Sequence, residues 1–147
     1  MSTPQISYWT LVISLGRIHV SRLLLVIGHW TMYKFENLRV WREAVKLVKM
    51  VYELCKKLPR DERFALADQL KRASTSIVLN IAEGCGGLGD VELRSYLRNS
   101  LKSLYETVAA VKLVESLFDL SCKEILEQCD LVGKQLNAFI RSLKSKS

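Results

Sequence analysis

The residues best suited to chemistry in this 147-residue chain are four cysteines, two histidines and one cluster of glycines. The thiols are Cys55, Cys85, Cys122 and Cys129. None forms a C-x-x-C pair, so the usual zinc spacing is missing. Cys122 and Cys129 stand seven apart and can share a helix face, where cysteine acts as a small hydrophobe. Reduced, buried or half-buried thiols in a cytosolic protein are the expectation. His19 and His29 both fall within the first 31 residues. The rest of the chain therefore lacks the commonest general base and metal ligand. A carboxylate-bridged metal site in a helical bundle needs Glu-x-x-His pairs, and there are none. Cys85 without a histidine is a poor nucleophile. Neither catalysis nor a cofactor is expected.

The glycines Gly84-Cys-Gly86-Gly-Leu-Gly89 match the dinucleotide pattern G-x-G-x-x-G. That fingerprint works only after a strand inside a strand–helix–strand unit, and here a helical pattern precedes it. Gly84 and Gly89 are also spaced like a phosphate loop, but Asp90 stands where a lysine is required, and an acid there repels phosphate. The glycines read as an interhelical loop.

Two polar patterns remain as candidate sites. Gln69, Arg72, Ser76, Asn80 and Glu83 recur at steps of three and four beside an apolar stripe. A row of amide, guanidinium, hydroxyl, amide and acid suits specific hydrogen bonds with another helix or chain. It is expected to form a polar seam or subunit interface; an ordinary polar face and a ligand site are the alternatives. Further on, Arg94, Arg98 and Lys102 recur every four residues as a basic ridge. Such a ridge can track phosphates without reading bases, and its bland alternative is a solvated face.

The elements that carry these residues are four amphipathic helices. Over residues 36–58, Leu38, Trp41, Val45, Val48, Tyr52 and Cys55 give one apolar stripe. Arg42, Lys46, Lys49, Glu53 and Lys56 lie opposite, and Pro59 stops the helix. A second helix opens near Asp61-Glu62 and carries Phe64, Ala67, Leu70, Ile77 and Ile81 inward, with Gly84 as its left-handed end. A third, N-capped by Asp90, runs to residue 117 or so on Leu93, Leu97, Leu101, Leu104, Val108 and Val111. A fourth begins at the capping-box pattern Ser121-Cys-Lys-Glu124. It continues through Ile125, Cys129, Val132, Leu136, Phe139 and Leu143, the clearest heptad-like stripe in the chain. Short connections make neighbours antiparallel, so the expected fold is all-α, an antiparallel up-and-down four-helix bundle over residues 32–147.

Residues 1–31 break the pattern. They hold the apolar runs Leu11-Val-Ile13 and Leu23-Leu-Leu-Val-Ile27, no acid, and only Arg17 and Arg22 as bases. Arg17, His19 and Arg22 interrupt any membrane-spanning run, and a signal peptide would carry its bases first. This N-terminal extension reads as an upstream start before a true Met32, with an interfacial helix or a short extra packing helix as alternatives. Membrane residence is not expected, and a cytoplasmic location is. Of the +7 formal charge, residues 1–31 hold two units and the remainder five. A modest basic excess is compatible with RNA, DNA or an acidic protein.

The strings Gln69-Leu-Lys-Arg72-Ala73 and Ser76-Ile-Val-Leu-Asn80-Ile-Ala-Glu83-Gly84 resemble the bacterial four-helix-bundle family typified by proteins encoded in intervening sequences of 23S ribosomal RNA genes. Phe35-Glu-Asn-Leu38-Arg-Val-Trp41-Arg-Glu-Ala44 looks like that family's opening motif, and Glu92-Leu-Arg-Ser-Tyr96-Leu97 with Ser103-Leu104 like its third helix. The likeness covers residues 33–143. Lys102 departs from it, standing where the family often has glycine, and so does Val108, where it often has an acid. The resemblance implies a non-enzymatic homo-oligomer, a pentameric ring. It also implies binding to structured RNA or DNA through a basic surface, or partnership with a reverse transcriptase or another nucleic-acid enzyme. A scaffold for such an enzyme, with no nucleic-acid contact of its own, is the alternative.

Overall fold

The computed structural model describes residues 33–87 and 89–144. The N-terminal extension expected over 1–31 lies outside the described residues. Four α-helices make up the fold: α1 (Arg39–Lys57), α2 (Leu66–Gly86), α3 (Asp90–Phe118) and α4 (Lys123–Lys144). Short 3-10 turns at Lys34–Asn37 and Arg60–Phe64 precede the first two helices, and the described residues contain no strand. α2 packs against α1 and α3, and α4 closes the bundle against α3 and α1. The fold is the all-α antiparallel bundle that the periodicity predicts.

α1 starts three residues later than expected because its lead-in folds separately. The Arg42 guanidinium reaches back to the carbonyls of Glu36 and Asn37, both at 3.1 Å, and ties the 3-10 turn to the helix. Its buried face is also not the expected one. Val40, Ala44, Leu47, Val51, Leu54 and Cys55 turn inward. Trp41, Val45 and Val48 are half-buried, and Tyr52 is exposed. α1 is apolar over a broad arc, and the stripe first read from the sequence is one edge of it. The centre of the arc faces both α2 and α4. The Trp41 indole stacks instead on Phe35, ring centres 5.0 Å apart and tilted.

Two further expectations change at α2. Phe64 belongs to the 3-10 turn, so it never joins the α2 face and stands 89% exposed. Gly84 does not end the helix in a left-handed turn, because no described glycine has positive φ. It is a buried helical position where a Cβ would lie 2.8 Å from Tyr96 Cβ and 3.0 Å from Leu93 Cδ1. Gly84 thus lets α2 and the start of α3 approach closely. The left-handed residue in the described chain is Asp119 (φ 51°), which closes α3. Aspartate tolerates that conformation through its short polar side chain.

The core is continuous. Leu47, Leu70, Ile77, Ile81, Leu97, Val111, Val132 and Leu136 are wholly buried. Each such side chain contributes about 1.5–3 kcal/mol relative to exposure. Small hydroxyls fill the narrow α2–α3 interface and are satisfied by helix carbonyls: Ser100 Oγ donates to Ile77 O at 2.9 Å and Thr107 Oγ1 to Ser103 O at 2.9 Å. α4 buries Ile125, Cys129, Val132, Leu136 and Leu143, as its heptad pattern predicts, and half-buries Phe139. The approach to α4 is held from α3, where Glu115 Oε1 accepts the Cys122 amide proton at 2.9 Å. Asp90 is the first residue of α3, with Gly89 at the cap position and no side-chain cap bond. None of the described helices is long and apolar enough to cross a membrane.

Candidate nucleic-acid interface

The basic ridge on α3 is shorter than the sequence suggests. Arg94 is half-buried, and its Nη2 donates to the Leu143 carbonyl in the last turn of α4 at 2.7 Å. That residue is committed to closing the bundle. Arg98 and Lys102 are exposed and form no ion pair among the described residues. One turn on, Tyr105 stands 67% exposed, and Lys112 follows two turns after it. At 100° per residue, Arg98, Lys102, Tyr105 and Lys112 fall on one side of α3.

Across the groove between α3 and α4, Arg141 is exposed and Lys134 pairs with Asp130 at 2.6 Å. Sequence reasoning missed Tyr105, Lys112 and Arg141. The signal for the first two was present as a three- and seven-residue continuation of the ridge. Arg141 required knowing that α4 lies beside α3.

The polar row on α2 faces α3 within the same subunit. Gln69 Nε2 donates to Glu106 Oε1, and Gln69 Oε1 accepts from Arg72 Nη2 at 2.7 Å. Ser103 Oγ reaches Ser76 Oγ at 3.0 Å, and Asn80 Nδ2 donates to the Ser76 carbonyl at 2.8 Å and hydroxyl at 3.0 Å. Gln69, Ser76 and Asn80 are half-buried along this seam, whereas Arg72 and Glu83 are exposed. A second polar clasp, not anticipated from sequence, joins α4 to α1. The buried Gln128 donates through Nε2 to the Glu43 carbonyl and to its Oε2, both at 2.9 Å.

All four thiols are free, and burial pushes each upward from its ordinary pKa. For Cys129 the value reaches about 11. A thiol that holds its proton at neutral pH is a weak nucleophile and a weak metal ligand. In the glycine segment, a Cβ at Gly87 would meet Glu92 Oε2 at 2.6 Å, so a carboxylate lies against these glycines, where it would repel a phosphate. Among the described residues no group of three His, Cys, Asp or Glu side chains is placed to hold a metal.

The model of the 23S rRNA-intervening sequence protein family matches residues 36–138, which cover α1 to α3 and most of α4. The chain belongs to that family. Among solved structures, the chain is similar to a crystal structure of a protein with unknown function from the S23 ribosomal protein family of Bacteroides thetaiotaomicron. The TM-score is 0.52 at 20% identity, covering 72% of this chain and 95% of that one. That likeness supports the fold. No curated protein matches the sequence.

Proposed function

We propose that this intervening-sequence family member is a non-enzymatic, homo-oligomeric accessory protein of the bacterial cytoplasm that binds RNA or DNA through the outer face of α3. The observation that carries this reading is the pair Arg98 and Lys102, exposed one turn apart and unmatched by any described acid. Phosphates need no more than such cations, and the resulting contacts are sequence-independent.

Assembly would multiply a weak site, because several copies of the ridge then engage one strand together. Apolar surface for self-association is available: Trp41, Val45 and Val48 are half-buried, and Tyr52 and Leu79 are exposed. A pentameric ring is the assembly that the family resemblance favours.

The test is binding of the full chain to structured RNA and to DNA at rising salt. Affinity should be highest near about 50 mM salt and fall log-linearly. Arg98→Glu with Lys102→Glu should abolish binding while leaving the fold intact, since both side chains are exposed. No binding at low salt would end the reading. Recovery of a stable protein partner after nuclease treatment, such as a reverse transcriptase, would move the protein to the scaffold class.

A further inference from the structure

Resting on that nucleic-acid reading, we infer that the groove between α3 and α4 seats an unpaired nucleobase beside Tyr105, so that the ligand is a single strand. The groove encloses about 510 Å³. Its walls are apolar, with Leu104 and Cys129 buried and Val108 and Leu126 half-buried. Gly133 narrows the separation of the two helices: a Cβ there would stand 3.2 Å from Leu104 Cδ2. The Cys129 thiol, held protonated by burial, adds a neutral wall.

Charge decides the occupant. Asp130 is the acid lining the groove, and Lys134 neutralises it at 2.6 Å. That leaves Lys112 and Arg141 on the rim, with Arg98 and Lys102 continuing the row along α3 past the exposed Tyr105 ring. Cations running along one edge, with an aromatic ring and an apolar cleft beside them, are the arrangement that holds a sugar–phosphate strand while a base turns inward. In a duplex the bases are stacked inside, and the cleft and the ring would have nothing to cover. A second copy of this chain is a poor occupant. Its own apolar edge on α1 and α2 carries Lys49 and Lys71, the latter 5.6 Å from the Tyr52 ring centre, and these would meet the groove's cations.

The experiment compares fluorescence anisotropy of a short labelled oligouridylate with that of a duplex of equal length. The proteins are the full chain and its Tyr105→Ala and Tyr105→Phe variants, each checked by circular dichroism. The single strand should bind about tenfold or more tighter than the duplex. Tyr105→Ala should weaken single-strand binding by about 5- to 150-fold, the range for losing one stacked base. Its salt slope should stay unchanged, because the phosphate contacts remain. Tyr105→Phe should bind like the parent.

Unchanged affinity in Tyr105→Ala, or equal affinity for duplex and single strand, would overturn the inference. If in that case Arg98→Glu with Lys102→Glu still abolished binding, the phosphate reading of α3 would stand without the base site. If neither nucleic acid bound at low salt, both readings would fall, and capture of an acidic amphipathic peptide would assign the groove to a protein.

Discussion

Arg94 and Leu143 lie 49 residues apart and meet through one 2.7 Å hydrogen bond, from a guanidinium on α3 to a main-chain carbonyl in the last turn of α4. The carbonyls of a helix C-terminus have no intrahelical partner and carry partial negative charge, so a cation there both caps and neutralises. Arg94→Ala should therefore cost about 1–2 kcal/mol in urea denaturation, as loss of a charged donor does. It should also speed amide exchange in the final turn of α4. The same change should weaken RNA binding much less than Arg98→Glu. If Arg94→Ala left stability untouched but abolished binding, Arg94 would return to the ridge.

Leu47 and Val48 are neighbours that distinguish the two registers of α1. Leu47 is fully buried and Val48 is half-buried on the flank. Leu47→Ala should cost about 2–5 kcal/mol, the range for a large core truncation. Val48→Ala should cost about 1 kcal/mol, because less apolar area is lost. Equal costs, or the reverse order, would restore the face first read from the sequence.

Gly84 and Gly86 sit two residues apart with opposite tolerance. A methyl group at Gly84 meets backbone-anchored Tyr96 Cβ at 2.8 Å, whereas at Gly86 nothing lies within 4 Å. Gly84→Ala should destabilise by about 1–3 kcal/mol, as overpacking does, and lower the melting temperature. Gly86→Ala should be neutral or stabilising by up to about 1 kcal/mol through helix propensity, since α2 runs through that position without positive φ. Thermal melts of the two variants check the pair.

These residues also show what the sequence could and could not reveal. The heptad stripe of α4 was legible because Ile125, Cys129, Val132, Leu136 and Leu143 stand at the centre of its apolar arc, and all five are buried. α1 carries apolar side chains over a wide arc, Val40 and Leu47 on one side and Trp41 and Val48 on the other. Periodicity finds such an arc but not its centre, which depends on where α2 and α4 lie. Gly84 is ambiguous for a similar reason: a glycine serves equally as a helix stop or as a close-contact point, and the choice depends on Tyr96 of another helix. For the candidate site, Arg98 and Lys102 were legible as spacing on one helix. The diversion of Arg94 to Leu143, and the lining of one groove by both Arg141 and Tyr105, are products of tertiary packing that no local pattern encodes.

Burial of the Cys129 thiol makes stability depend on pH at the alkaline end. The group titrates near 9.0 when unburied and near about 11 in the fold, where desolvation disfavours the thiolate. Between those values the unfolded chain has released the proton and the folded chain still holds it. The unfolded state then binds fewer protons, so stability falls as pH rises. The contribution is fully present below pH 9.0 and is lost by about pH 11. At about 1.4 kcal/mol per unit, the loss is about 2–3 kcal/mol. Lysines and tyrosines titrate in the same window, so the measurement is a difference: urea denaturation of the parent and of Cys129→Ala across that range. Cys129→Ala is less stable at pH 8 by its cavity cost, which does not change with pH. The gap between the two proteins should narrow from pH 9 to pH 11 as the parent alone loses the thiol's contribution. A gap that stayed constant would show that water or an unfolded loop reaches Cys129 and that the α3–α4 groove is wetter than its apolar walls imply.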